Sequence, residues 1–237
     1  MKYVWLVPCT VVLGVVGMAG ASRPQAGSVS GTIKFSGPPP ANPKLDMSEE
    51  AACKGKYTTD PVVVVSNGAL QNVLIYVKSG LPAGQKYSPP ATPAVVDQEG
   101  CLYHPRTVAV MVGQPLEIRN SDPVLHNIKV VPKKNRGFNI SQPTKGMKTT
   151  RTFTVEEITI PVQCNVHGWM HANLAVFSHP FFAVSGPDGS FSIKGLPPGK
   201  YEIEAWHEKL GTQTVTVTVP AGGSAAANFT FSAKAGG

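Results

Sequence analysis

Charge is scarce in this chain of 237 residues: Asp, Glu, Lys and Arg make up 15% of it, against about a quarter in ordinary globular proteins. Acidic residues are the rarer sign, with 14 Asp and Glu against 21 Lys and Arg. The chain has no Gly-rich phosphate loop, no G-x-S-x-G elbow and no H-E-x-x-H pair, so the common motifs of phosphoryl transfer, serine hydrolysis and zinc proteolysis are missing. Beyond the first twenty or so residues no apolar run is long enough for a bilayer span. Long helices are equally disfavoured, because 24 Gly and 22 Pro interrupt the chain at a density well above average. A hydrophobic fraction of 42% and a net charge of +7 exclude a disordered chain. These absences leave a turn-rich, all-β protein with enough length for one or two cores.

The N-terminus reads as an export signal. Lys2 is a short basic start, Val4–Met18 is apolar and interrupted by Pro8, Gly14 and Gly17, and Ala19-Gly20-Ala21 has the small-residue form of a cleavage site. Residues 1–21 are therefore expected to be removed, leaving no membrane span and a periplasmic or secreted protein; an uncleaved anchor is the rival reading. Residues 22–27 read as a flexible leader. Loss of Cys9 leaves Cys53, Cys101 and Cys164, an odd number in an oxidising compartment, so one thiol has another task. The metal-ligand pattern below assigns that task to Cys164, which makes Cys53 and Cys101 the expected disulfide.

The remaining sequence is a series of short β-branched runs closed by Gly, Pro, Asn or Asp, including Val29–Phe35, Ala69–Val77, Thr107–Val112, Ile158–Cys164 and Thr212–Val219. Alternation such as Thr-Val-Thr-Val-Thr-Val at 214–219 predicts half-buried antiparallel strands. Pro61–Val65 also reads as a strand, and only Ser48–Cys53 suits a helical turn. Tyr76 and Tyr201 read as core aromatics.

The densest chemistry lies between residues 93 and 178. Cys164-Asn-Val-His167-Gly-Trp-Met170 places a thiolate, an imidazole and a thioether in one loop, and His126 brings a second imidazole to the start of a strand. Two His, one Cys and a weak axial Met are the donor set of a type 1 copper site: soft sulfur ligands suit Cu(I) and imidazoles retain Cu(II). Zinc accepts Cys and two His as well, but a Met contributes little to it. The chain supplies a control in Cys101-Leu-Tyr-His104, which repeats the Cys-x-x-His spacing without a Met.

With these residues the chain resembles the cupredoxin family. The Cys-x-x-His-x-x-Met spacing looks like the short ligand loop of amicyanin, whereas plastocyanin has two more residues before its Met. The resemblance implies a Greek-key sandwich at 90–179, one copper held by His126, Cys164 and His167 with Met170 axial, and Asn127 beside the ligands, bracing their loop by hydrogen bonds. His171, directly after the Met, departs from the pattern and either competes as a ligand or points outward. Four protein ligands leave no open position for a substrate, so the implied role is a non-enzymatic, one-electron carrier. Copper delivery, or a sandwich that binds glycan or protein, are the alternatives.

Two flanking segments resemble carboxypeptidase regulatory-like (transthyretin-like) sandwiches. Ser30-Gly-Thr-Ile-Lys-Phe and Gly68–Val77 look like their opening strands; Pro187-Asp-Gly-Ser-Phe191 and Leu196-Pro-Pro-Gly-Lys-Tyr201 look like their closing half. The implied organisation is two antiparallel β-sandwiches, with residues 28–85 and 180–233 forming one and the cupredoxin inserted between them. The residues at Trp206-His207-Glu208 read as a surface or inter-module contact, and Phe138-Asn139 as core packing or a cover over the site. Lys133, Lys134 and Arg136 form a basic cluster, followed by Lys145, Lys148 and Arg151; without interleaved aromatics it suits an acidic redox protein rather than nucleic acid. His167, midway along the ligand loop, is expected to present its ring edge to solvent as the electron exit.

Overall fold

The computed structural model describes Met1 and residues 25–233. The expected signal peptide at 1–21 lies outside the described residues apart from Met1. The described residues are all-β, and none of them forms a helix long and apolar enough to cross a membrane.

Four strands precede the central region: β1 (Gly27–Ser36), β2 (Val65–Ser66), β3 (Ala69–Leu70) and β4 (Leu74–Ser79). The central region holds β5 (Ala94–Glu99), β6 (Leu102–His104), β7 (Thr107–Met111), β8 (Leu116–Asn120) and β9 (His126–Val130). It continues with β10 (Phe138–Gln142), β11 (Lys148–Arg151), β12 (Glu157–Gln163) and β13 (His171–Phe177). The last stretch adds β14 (Phe182–Val184), β15 (Ser190–Leu196), β16 (Gly199–His207), β17 (Gly211–Val219), β18 (Ser224–Ala226) and β19 (Phe229–Ser232). The run at 61–65 is a strand only at its very end, and Ser48–Cys53 forms successive turns rather than a helix. Strands β5, β6, β10 and β14 have no counterpart among the periodic segments of the sequence, being short or set beside Pro and Gly.

The first and last stretches share one core. β1 pairs antiparallel with β15, from Gly27 opposite Leu196 to Thr32 opposite Ser190, and its other edge runs parallel to β18 and β19. Opposite lies the sheet β14-β4-β16-β17. Val29, Ile33, Ile75, Val77, Phe191, Ile193, Tyr201 and Ile203 meet between these layers. Asp188-Gly189 makes its turn because Gly189 adopts φ 72°, a left-handed conformation that glycine takes without a side-chain clash. At Gly31 the constraint is space: a Cβ there would lie 1.8 Å from the Ala227 carbonyl oxygen, so only glycine lets the closing segment lie this close to β1.

The central region packs the sheet β10-β9-β12-β13-β7 against β11-β8-β5-β6. Its core contains Val96, Tyr103, Val110, Leu116, Ile118, Ile128, Ile160, Val162 and Leu174. The sheets are mostly antiparallel, but β13 pairs parallel with β7, and β5 with β8.

A third apolar cluster joins the two bodies. Leu74 and Tyr76 of β4 meet Ala175 and Phe177 of β13. The intervening residues Ile75 and Val77 face one core, and Leu174 and Val176 the other. Because side chains alternate along a strand, two-sided burial turns an alternating pattern into a continuous apolar run, which is how 74–77 and 174–177 read. Arg106, 8% exposed, adds a polar tie, since its guanidinium donates to the carboxylates of Asp60 and Glu208.

Candidate metal centre

β9 and β12 are antiparallel neighbours, with Gln163 opposite Lys129. This register carries the start of β9 and the loop after β12 to the same end of the central body. His126 is the first residue of β9, and residues 164–170 link β12 to β13. Within that loop Met170 N–H donates to the His167 carbonyl at 2.9 Å and Cys164 N–H to the Met170 carbonyl at 3.2 Å. His167 N–H points at Cys164 Sγ, 3.3 Å away. The loop is thus closed on itself around the sulfur.

His126, Cys164 and His167 converge. Their ligand atoms lie within 4.8 Å of one another and all three residues are buried. The Nδ1 atoms of the two imidazoles face each other at 3.0 Å, and Cys164 Sγ is 3.9 Å from His167 Nδ1. Met170 is fully buried in the same core cluster as Cys164. Burial alone would push the Cys164 thiol up. Hydrogen bonds from the His126 and His167 rings and the backbone N–H groups of His167 and Asn127 outweigh it and hold the thiol at about 5. A sulfur kept as thiolate beside two imidazoles is a donor set for a soft or borderline metal ion, and its chemistry fits copper.

Asn127 accepts the Asn165 N–H at 3.1 Å and donates to Asn139 Oδ1 and the Ile140 carbonyl, tying the ligand loop to β9 and β10. His171 is exposed and opposes Gln163 across β12 and β13; strand alternation that buries Met170 turns His171 outward. His104 is also exposed, with Nε2 on the Glu99 carbonyl. Cys101 is bonded to Cys53, 48 residues away in sequence. Trp206 packs in the cluster between the bodies, and Phe138 against the central core. His207 is buried at 1% exposure and belongs to no group of three candidate ligands among the described residues.

One expectation is corrected. His167 does not present its ring to solvent: it is 3% exposed, and its Nε2 is buried without a hydrogen-bond partner. Trp169 causes this, its ring 5.1 Å from the imidazole and its indole N–H fixed on the Cys101 carbonyl at 3.0 Å. The exposed large apolar side chains next to His126 and His167 in the chain are instead Leu125 (41%) and Val166 (48%).

Two site residues carry no motif in the sequence. Tyr103 donates its hydroxyl to the Asn127 carbonyl, and burial, together with the Cys164 sulfur beside it, pushes this phenol far above its ordinary range. Asp122 lies four residues before His126, 3% exposed, and its carboxylate accepts the His126 Nε2–H at 2.9 Å. Burial would raise its pKa, but N–H donors from Cys101 and Gly100, the His126 ring and Lys56 hold it at about 2. An acid four residues before a His is too common a spacing to signal a site by itself.

An all-β fold with a buried thiolate–bis-imidazole cluster defines the class of this molecule. Comparison with known proteins adds that residues 170–232 match the family model of the carboxypeptidase regulatory-like domain. No curated protein matches the chain in sequence. Among solved structures it is similar to a Cu-containing nitrite reductase from Thermus scotoductus, at 21% identity and a TM-score of 0.35, over 43% of this chain and only 26% of that one. A purple cupredoxin from Nitrosopumilus maritimus aligns at 21% identity and TM-score 0.31, over 35% of this chain and 98% of the other. An oxidised amicyanin variant aligns at 23% identity and TM-score 0.32, over 43% and 97%. Each of these three structures matches less than half of this chain, and the metal chemistry of the centre is read from its own geometry.

Proposed function

We propose that this protein is an exported type 1 copper protein that carries single electrons. The observation that carries the reading is the convergence of one cysteine sulfur and two imidazoles, their ligand atoms within 4.8 Å of one another in a buried site, with Met170 buried in the same core cluster as the sulfur. Cys164, His126 and His167, with Met170, would hold the ion. A copper ion held there supplies a Cu(I)/Cu(II) couple. The chain's part is to keep one geometry for both oxidation states: the closed 164–170 loop fixes the sulfur, the Asn127–Asn165 bond fixes the loop to β9, and Asp122 orients His126. Burial excludes water, and four protein donors leave no place for a substrate, which favours a carrier over an enzyme.

On this reading residues 90–179 form the copper-binding domain, inserted into a regulatory-like sandwich made of 28–85 and 180–233. Leu125 and Val166, exposed and each directly before a histidine of the site in the chain, offer an apolar landing that a redox protein approaches without desolvating charge. The basic residues Lys133, Lys134 and Arg136 follow the far end of β9, where the Lys133 and Lys134 N–H groups donate to Glu157 at the start of β12, so they lie away from this landing and act on an acidic partner only through the long-range field. Electrons then leave past Leu125 or Val166 rather than through an open His167 edge. Export to the periplasm or beyond follows from the 1–21 signal and agrees with the Cys53–Cys101 bond.

The test is the visible spectrum of the mature chain with Cu(II). An intense sulfur-to-copper charge-transfer band at one copper per chain is expected, absent in Cys164→Ala. A colourless Cu(II) form would overturn the reading. Reversible one-electron cycling without metal loss distinguishes a carrier from a delivery protein, which surrenders its metal to a chelator.

A further inference from the structure

His126 is gripped from the side away from Cys164 by a structure no motif announces. Its Nε2 donates to Asp122 Oδ2 at 2.9 Å, and its Nδ1 is turned toward His167 Nδ1 at 3.0 Å. The Asp122 carboxylate takes three further donors: Cys101 N–H at 2.7 Å on Oδ2, and Gly100 N–H at 2.9 Å and Lys56 Nζ at 3.1 Å on Oδ1. Gly100 and Cys101 have φ of 64° and 62°, a left-handed pair whose N–H groups both point at the carboxylate. The same turn accepts the Trp169 indole N–H through the Cys101 carbonyl and is bonded by its sulfur to Cys53, three residues before Lys56. One turn thereby holds the carboxylate behind His126 and the tryptophan beside His167.

We infer that Asp122 is a positioning residue that fixes the tautomer and orientation of the His126 ligand, and that Lys56 and the Gly100–Cys101 turn, stapled by Cys53–Cys101, set its charge and place. The inference rests on the proposed metal centre but concerns groups outside the ligand set. An anionic carboxylate on the far nitrogen makes the imidazole a stronger donor and favours Cu(II); Lys56, whose side chain is 35% exposed, offsets part of that charge from the surface. The two residues therefore act on the reduction potential with opposite signs, which loosened packing does not do.

Asp122→Asn and Lys56→Met are compared with the native chain by reduction potential, copper affinity and, in the metal-free protein, ¹⁵N NMR of His126. Asp122→Asn should raise the potential, weaken copper binding about 10–100-fold, and lose the slowly exchanging Nε2–H signal. Lys56→Met, a surface change that leaves the fold intact, should lower the potential while keeping the Nε2–H signal and the visible band. Shifts of the same sign, or unchanged potential and affinity in both variants, would overturn the inference. A native His126 without an Nε2 proton would do so even with no metal added. Failure of the copper reading shows separately, as a native chain that takes up no copper and is indifferent to Cys164→Ala.

Discussion

The chain contains the spacing Cys-x-x-His twice, and the two copies meet opposite fates. Cys164-Asn-Val-His167 follows the end of β12, and its loop closes so that both side chains turn inward onto His126. Cys101-Leu-Tyr-His104 begins on a left-handed residue, spends its sulfur on Cys53 and leaves His104 exposed. The difference is not in the four residues. It lies in what each segment faces: a strand that delivers a second imidazole in one case, a turn-rich lobe that delivers a second cysteine in the other. The two copies also cooperate, since the Cys101 turn holds Asp122 behind His126 and Trp169 beside His167. A motif of two donors names a capacity, and its surroundings assign the role.

The sharpest way to break this contrast is to remove one donor from each copy. Cys164→Ala should abolish the charge-transfer band and lower copper affinity by more than a hundredfold, whereas His104→Ala should leave both unaltered; titration with Cu(II) under identical conditions compares them. Equal losses would mean that the exposed copy also holds metal.

Next in size is the stapled lobe. Replacing Cys53 and Cys101 together by Ser frees a loop with a sequence separation of 48, which chain-entropy arguments value at about 4 kcal/mol. Denaturant unfolding should read that loss, and copper binding should weaken as well because the Asp122 clamp loosens. A stable double variant with native affinity would separate the lobe from the site.

A similar contrast runs through the buried histidines. His126 and His167 face a thiol, while His207 and His179 sit among apolar groups at the other body. Burial first of all, with Arg106 nearby, depresses His207 from 6.5 to about 4, and burial lowers His179 as well. Below pH 6.5 the unfolded chain takes up a proton that folded His207 refuses, so stability falls as pH drops from about 6.5 to about 4. For His207 the loss is of order 3 kcal/mol. Unfolding midpoints across that window should show the decline, and His207→Gln should flatten it; an unchanged slope would place the acid sensitivity elsewhere.

The smallest expected effect concerns the brace. Asn127→Ala removes the acceptor for Asn165 N–H and should cost about 1 kcal/mol, with a modest change in the spectrum but not its loss. Paired with His171→Ala, an exposed change expected to be silent in both readouts, it separates bracing from mere proximity to the loop.

Much of this molecule was legible before folding. Period-two runs and Gly/Pro turns announce strands wherever one face is wet, as in β16 and β17, and Asp188-Gly189 marks its hairpin because the turn needs a positive φ. The donor types at 126, 164, 167 and 170 were equally visible, since the chemistry of sulfur and imidazole belongs to the residues themselves. Short strands such as β6, squeezed between Cys101 and Pro105, leave too few residues for a period to show.

By itself, then, the amino-acid sequence determined the β class, the turn positions and the identity of the donors, because each follows from local conformational preference or side-chain chemistry. Tertiary structure alone decided that β1 completes a sandwich with β15, β18 and β19, and that β4 and β13 are buried on both faces. It also decided that His167 lies beneath Trp169 and that Asp122 stands behind His126. These depend on register and on contacts between segments far apart in the chain, where the free energy comes from burying apolar surface and pairing polar groups across a fold. A local pattern supplies the groups for such contacts, and only the packed chain chooses their partners.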